Sequence, residues 1–290
     1  MISRLSPIFG ILAVSLWGIS FSAGKIAYQQ LGVFELTLMR LSISAICFLP
    51  ILTYDLYKNG FPCKKDLLLL AFIGFFAFFA TLSLQFLGLR YVNASVASIA
   101  VALEGVFVMV ISYLFLKQKP SKSNYCVATI SIIGLIIAIG IPEQAKITGV
   151  FFIIMANICA GISIVAQKPL FKNISVIGIT SWTVIMGFLI LSLGIPFFGL
   201  PNVTSYTNQT WGALLIISIG ATVIAYLLAT LCLKYLSANR SAQFMVIEPI
   251  VGVLAAVIFL GEVFTLNIMI GITLIAIAII VNSLIDDGNN

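Results

Sequence analysis

Residues 91–104 read YVNASVASIAVALE, and residues 235–248 read YLSANRSAQFMVIE. Tyr91 matches Tyr235, Ala94 matches Ala238 and Glu104 matches Glu248 at one constant offset. Further towards the N-terminus, GISFSAGK at 18–25 matches GISIVAQK at 161–168, which pairs Gly18 with Gly161, Ser20 with Ser163 and Lys25 with Lys168. The two blocks differ in offset by a single residue, so the chain contains one unit written twice. An internal repeat in a chain this apolar suggests a membrane transporter made of two related halves around one central site.

Composition sets the class. Of 290 residues, 61% are hydrophobic and only 8% are charged. A soluble domain carries roughly 25% charge, so the chain reads as an all-α membrane protein. Histidine is absent, which removes the commonest proton shuttle and metal ligand. The five cysteines, Cys47, Cys63, Cys126, Cys159 and Cys232, have no paired spacing. They suggest neither a disulfide framework nor a metal site, and no metal or cofactor is expected.

A spanning helix needs about 20 mostly apolar residues. Ten segments qualify: Pro7–Ala27, Phe34–Tyr54, Leu67–Leu87, Ala94–Leu116, Tyr125–Ile141, Thr148–Gln167, Ile177–Gly199, Trp211–Cys232, Ala238–Leu260 and Thr265–Ile285. The first is too long an apolar run for a cleaved leader, whose apolar stretch is roughly 7–15 residues. The repeat divides the chain into residues 1–142 and 143–290, with five helices each. Five is odd, so the second half enters the membrane from the opposite face, as an inverted repeat.

Loop charge sets the orientation. The side of the N-terminus carries Arg4, Lys58, Lys64, Lys65, Lys117, Lys119, Lys122, Lys168, Lys172, Lys234 and Arg240, against Lys25, Arg90 and Lys146 on the other. This positive-inside bias puts both termini in the cytoplasm. The expectation is a multi-pass protein of the cell (inner) membrane. The lysines are spread over several loops, so no nucleic-acid surface is indicated. The expected partners are the lipid bilayer and a small-molecule substrate, with a monomer or homodimer as the working unit.

Ionisable groups inside a bilayer are costly, about 2.5–3.5 kcal/mol for an acid at a helix centre. Glu104 and Glu248 fall near the middle of the fourth and ninth helices, and the repeat superposes them. They are the first candidates for a substrate-binding site, the competing role being a hydrogen bond to a neighbouring helix. Pro249 follows Glu248 and breaks the backbone ladder one turn earlier. Trp17, Ser20, Gln85, Ser98, Tyr226 and Gln243 are further candidate substrate contacts, though single polar residues also serve as glue between helices. Lys25 and Lys168 end equivalent helices on opposite faces, where they either snorkel to water or act as gates. Arg40 lies about 10 Å along the second helix. It points either outward past Glu35 or inward to an anion. No nucleophile, phosphate loop or carboxylate–histidine pair suggests an enzyme.

In order and spacing these residues resemble the drug/metabolite transporter superfamily of the EamA type. The resemblance rests on Trp17-Gly18, Phe21, Lys25, Arg40 and Tyr91-Val-Asn-Ala-Ser-Val-Ala-Ser98 in the first half. In the second it rests on Ala225-Tyr226, Tyr235-Leu-Ser-Ala238, Glu248-Pro249, Phe259-Leu-Gly-Glu262 and Gly271. It covers nearly the whole chain. Two places depart from the family pattern. Glu104-Gly105 stands where a proline is usual, and Lys117-Gln118 stands where Gly-Glu is usual. The resemblance implies a secondary carrier of small metabolites working by alternating access, often an exporter of amino acids or related amine or zwitterionic solutes. Glu262 would be a loop or gate residue. A flippase for a lipid-linked sugar is the alternative.

Overall fold

The computed structural model describes residues 2–120, 122–140 and 144–287. Among them there are helices and no strands. The main helices are α1 (Ile2–Ala27), α2 (Val33–Asn59), α3 (Lys64–Leu89), α4 (Ala94–Leu116), α5 (Lys122–Ile139) and α6 (Gln144–Gln167). After them come α7 (Val176–Ser192), α8 (Asn208–Tyr235), α9 (Ala238–Gln243, Phe244–Val246 and Ile247–Leu260) and α10 (Leu266–Asp287). Six spans are long and apolar enough to cross a bilayer, and four more are apolar but shorter. The residue 142/143 boundary and the end of the fifth expected helix at Ile141 lie outside the described residues.

Local chemistry sets several helix starts. The Glu35 carboxylate accepts the Gly32 N–H (3.0 Å) at the head of α2. Ser175 Oγ accepts the Gly178 N–H (2.8 Å) at the head of α7. Each satisfies a backbone donor that a helix leaves open. The expected seventh helix, Ile177–Gly199, stops early: α7 ends at Ser192, and Pro196 starts a separate turn at Ile195–Phe198.

Packing repeats with the sequence. α1 packs on α9 and α8, and its counterpart α6 packs on α4 and α3. α2 contacts α8 as α7 contacts α3. The pairs α4–α9, α2–α7 and α5–α10 map onto themselves when the halves are exchanged. Small residues make this closeness possible. A Cβ at Gly18 would lie 2.6 Å from the Glu248 carbonyl oxygen and 2.9 Å from Gly252 N. The equivalent Gly161 would meet Val108 N at 3.2 Å, and Val108 is the repeat counterpart of Gly252. Both crossings are of the small-residue kind that lets helices touch backbone to backbone in lipid.

Two helices expected to be continuous are broken at equivalent places. α4 is interrupted at Ala102 and Leu103, so that Glu104 opens its second part. α9 tightens into a 3-10 turn over Phe244–Val246, and Glu248 falls in the first turn of the helical part beyond it. In α9 the cause is Pro249, which cannot donate to the Met245 carbonyl. In α4 there is no proline. Here Leu103 N donates to the Ala100 carbonyl (3.3 Å), which also accepts Asn157 Nδ2 from α6 (2.9 Å). The side-chain bond holds the carbonyl that the interruption leaves short of helical partners.

π-helical segments widen α3 at Phe75–Ala80 and α8 at Ile216–Ile224. Such segments release carbonyls from the regular ladder, often at functional sites. Large apolar side chains on the outside, among them Phe115, Ile136, Leu189 and Ile258, are exposed, as lipid contact requires.

Gly18→Ala is expected to cost about 1–3 kcal/mol by overpacking. It should lower the midpoint of thermal unfolding of the purified protein. Gly212→Ala, whose added Cβ meets nothing within 4 Å, should not.

Candidate functional site

The interruptions of α4 and α9 face one cavity. Counting the part that opens to the exterior, its empty space is about 860 Å³, enough to admit a small organic solute. Glu104 and Glu248 both line it and are 6% and 3% exposed. Among the described residues neither carboxylate meets a hydrogen-bond donor, and the charges that act on Glu248 are Glu104 and Arg40.

Arg40 points inward, which resolves the two orientations open to it. It is 3% exposed and lines the cavity. Nε donates to Thr222 Oγ1 (2.8 Å), and Nη2 donates to the Ala221 carbonyl (3.3 Å). Both partners belong to the π-helical stretch of α8, where Thr222 Oγ1 donates in turn to the Ile217 carbonyl (2.9 Å). The guanidinium also lies 5.6 Å from the centre of the Phe86 ring. It acts electrostatically on Glu248 and Tyr226. The wide turn of α8 thus holds a buried cation beside an acid of α9.

The same carbonyl of Ala221 accepts Trp17 Nε1 (3.0 Å). The Trp17 ring meets Tyr226 edge-on at 5.0 Å, and Tyr226 packs on Phe78 at 4.6 Å. Trp17, Tyr226, Ser20 and Gln85 line the cavity, as the sequence suggested. Ser20 Oγ donates to the Trp17 carbonyl (2.6 Å). Ser98 stands apart from the lining. Its hydroxyl donates to the Ala94 carbonyl (2.7 Å), and it packs against Gly252 in the α4–α9 seam. The Gln243 side chain lies outside the described residues. Pro249 is buried one residue beyond Glu248.

Lining residues that sequence reasoning missed include Ser163, Gln167, Thr230 and Cys232. Ser163 carried a signal, because the repeat pairs it with Ser20. Thr230 and Cys232 carried none, since small polar groups in a helix look alike whether they face a cavity or a neighbour.

Two contacts tie helices across the ends of the bundle. The Glu262 carboxylate, just beyond α9, accepts Ala94 N (2.7 Å), Ser95 N (3.0 Å) and Ser95 Oγ (2.6 Å). The N-cap residue Asn93 makes no side-chain cap of its own, so an acid from the loop after α9 caps α4. Lys25 stands within electrostatic reach of Glu262. At the other end Lys168 Nζ donates to the carbonyls of Leu233 and Leu236, at the C-terminus of α8. An anion sits on one helix N-terminus and a cation on one helix C-terminus, each the favourable sign for its pole.

Removing the guanidinium leaves Glu248 without the cation that acts on it in the cavity. Arg40→Met is expected to destabilise the protein by about 3 kcal/mol, read as a lower midpoint of thermal unfolding. Glu248→Gln in the same chain should recover much of the loss.

Known proteins agree with this architecture. The model of the EamA-like transporter family matches twice, at residues 4–140 and 147–284. An uncharacterized transporter of Archaeoglobus fulgidus is 26% identical over 92% of this chain and 95% of its own. Uncharacterized transporter YoaV of Bacillus subtilis is 23% identical over 94% and 95%. A probable terminal-alkyne amino-acid exporter of Streptantibioticus cattleyicolor is 24% identical over 87% and 84%. One solved crystal structure superposes with a TM-score of 0.75 over 97% of both chains at 14% identity, a likeness of fold. The chain is a multi-pass membrane transporter and belongs to the EamA-like transporter family.

Proposed function

We propose that this transporter is a secondary carrier that exports small amine-bearing metabolites, amino acids and their relatives, by alternating access. The observation that carries the reading is the cavity itself: two acids at equivalent helix breaks and one guanidinium share a single buried space. Broken helices that meet at a buried polar site are the usual architecture of secondary carriers. The carboxylates suit an ammonium group, and the guanidinium suits a carboxylate. The relative named a probable terminal-alkyne amino-acid exporter supports the same solute class.

In this reading the ten helices form two halves, residues 1–142 and 143–290, in inverted orientation about an axis in the membrane plane. Loop charge puts both termini in the cytoplasm of a cell (inner) membrane protein. α1, α8 and α9 move against α3, α4 and α6, with the α2–α7 pair between them. Glu262 ties the outer ends of α9 and α4, and Lys168 ties the inner ends of α6 and α8. Each tie has to release once per cycle. The sequence holds no phosphate-binding loop, so the driving force in this reading is a gradient.

The test is flux in reconstituted liposomes, with a panel of radiolabelled amino acids and diamines. Wild-type protein should show counterflow of at least one of them. Glu104→Gln together with Glu248→Gln should slow the initial rate by about tenfold or more, equal to about 1.4 kcal/mol. Unchanged rate and unchanged pH dependence in the double variant would overturn the reading.

A further inference from the structure

The protein uses the Arg40 guanidinium along one edge. Nε donates to Thr222 Oγ1 (2.8 Å) and Nη2 to the Ala221 carbonyl (3.3 Å). These two nitrogens share the side edge of the planar fork, so α8 takes that edge. A guanidinium has five N–H groups. The two on Nη1 and the second on Nη2 are left, and together they form the end-on fork. Among the described residues Nη1 has no hydrogen-bond partner, and Arg40 forms no ion pair. Nor is Nη1 among the polar atoms sealed off without a partner, so it is reached from the cavity that Arg40 lines. A cation that is 3% exposed with its fork open is costly until an anion completes it.

The surroundings hold that fork still. Thr222 Oγ1 gives its own proton to the Ile217 carbonyl (2.9 Å), which leaves its lone pairs to Arg40. The Ala221 carbonyl is held from α1 by Trp17 Nε1 (3.0 Å). The Phe86 ring lies under the guanidinium at 5.6 Å. The second half has no such anchor. Ser44 Oγ donates to the Ser218 carbonyl (3.0 Å), and a Cβ on Gly187 would lie 3.0 Å from the Gly74 carbonyl, so α2 and α7 correspond at the offset of the GISFSAGK block. That offset sets Thr183 opposite Arg40, and Thr183 Oγ1 donates to the Ile179 (2.8 Å) and Thr180 (3.1 Å) carbonyls of its own helix. Arg40 is the one basic residue among those lining the cavity.

We propose that the Nη1–Nη2 fork of Arg40 is the carboxylate subsite of this carrier, that Thr222 is its positioning residue, and that the preferred solute is an amino acid with one free carboxylate. This rests on the carrier reading above and narrows it. A carboxylate matches the fork with two parallel charge-assisted hydrogen bonds, whereas an amide or a bare amine cannot. A dicarboxylate brings a second anion for which the lining holds no cation. The guanidinium is charged at neutral pH, so the subsite works whatever the protonation of Glu104 and Glu248. Those acids line the same space and offer oxygen acceptors to the amine of the solute.

The experiment compares leucine, phenylalanine and lysine, each with its own carboxamide. The amide keeps the side chain and the amine and loses the anion. Binding to the purified full chain at neutral pH is measured by isothermal titration calorimetry. Each amino acid that binds is expected to bind about tenfold or more tighter than its amide. Arg40→Lys, which keeps the charge and loses the fork, should cost the amino acid about tenfold and the amide less than about twofold. Thr222→Val should cost the amino acid about fivefold and the amide less than about twofold, and Thr222→Ser should restore the preference. Equal binding of acid and amide by the wild type would overturn the inference while leaving the carrier reading intact, and this arm needs no variant to fold. An unchanged acid-to-amide ratio in folded Arg40→Lys protein would overturn the subsite, and in folded Thr222→Val protein the positioning role. If the wild type binds none of the six, the amino-acid reading falls and takes the inference with it.

Discussion

The constraint on which the structure turns is the burial of charge in a lipid-facing bundle. Glu104, Glu248 and Arg40 are each no more than 6% exposed, in a chain whose outer surface is hydrocarbon. A lone ionised group at that depth costs several kcal/mol. The fold answers with backbone. The π-helical stretch of α8 gives up the Ala221 carbonyl to Arg40 and Trp17 together. The breaks in α4 and α9 put both acids in the first turn of a helix, the end at which a negative charge is favoured. Close glycine crossings at Gly18 and Gly161 then bring the broken helices against their partners.

The same electrostatics reappears at the ends of the bundle. Glu262 caps the start of α4 from across the seam, and Lys168 caps the end of α8. The repeat makes their contexts comparable. α4 and α9 both end in a left-handed residue, Lys117 (φ 57°) and Gly261 (φ 64°), each followed by the same wide backbone bond. Yet Glu262 reaches a helix N-terminus while its counterpart Gln118 accepts from Ser112 Oγ through Oε1 (3.0 Å) at its own helix end. The glutamate carries a charge that suits the dipole, and the amide does not. The two equivalent helix ends are thus held differently.

Much of this was legible in the sequence. The match of residues 91–104 with 235–248 paired the acids before any coordinates, because ionisable groups are rare enough in membrane helices for a pairing to stand out. Pro249 announced the break in α9, since the missing N–H is a fixed chemical fact. The break in α4 carried no such mark; the Ala100 carbonyl beside it is held by Asn157 of another helix. Arg40 read equally well in two directions, because hydropathy does not say which face a residue occupies. The π-helical segments were invisible, as they arise from tertiary fit. Ser98 looked like a cavity residue and is a packing residue, with its hydroxyl satisfied by its own helix.

The central claim is that the acids of the two halves act on one solute in one cavity. A double-mutant cycle of Glu104→Gln and Glu248→Gln on the affinity for the amine-bearing solute that the flux assay identifies tests it most directly. Groups that share a ligand and a cavity should couple, so the double variant should depart from the sum of the singles by about 0.5–3 kcal/mol. Losses that add to within about 0.3–0.5 kcal/mol would mean two independent sites, and would contradict the account.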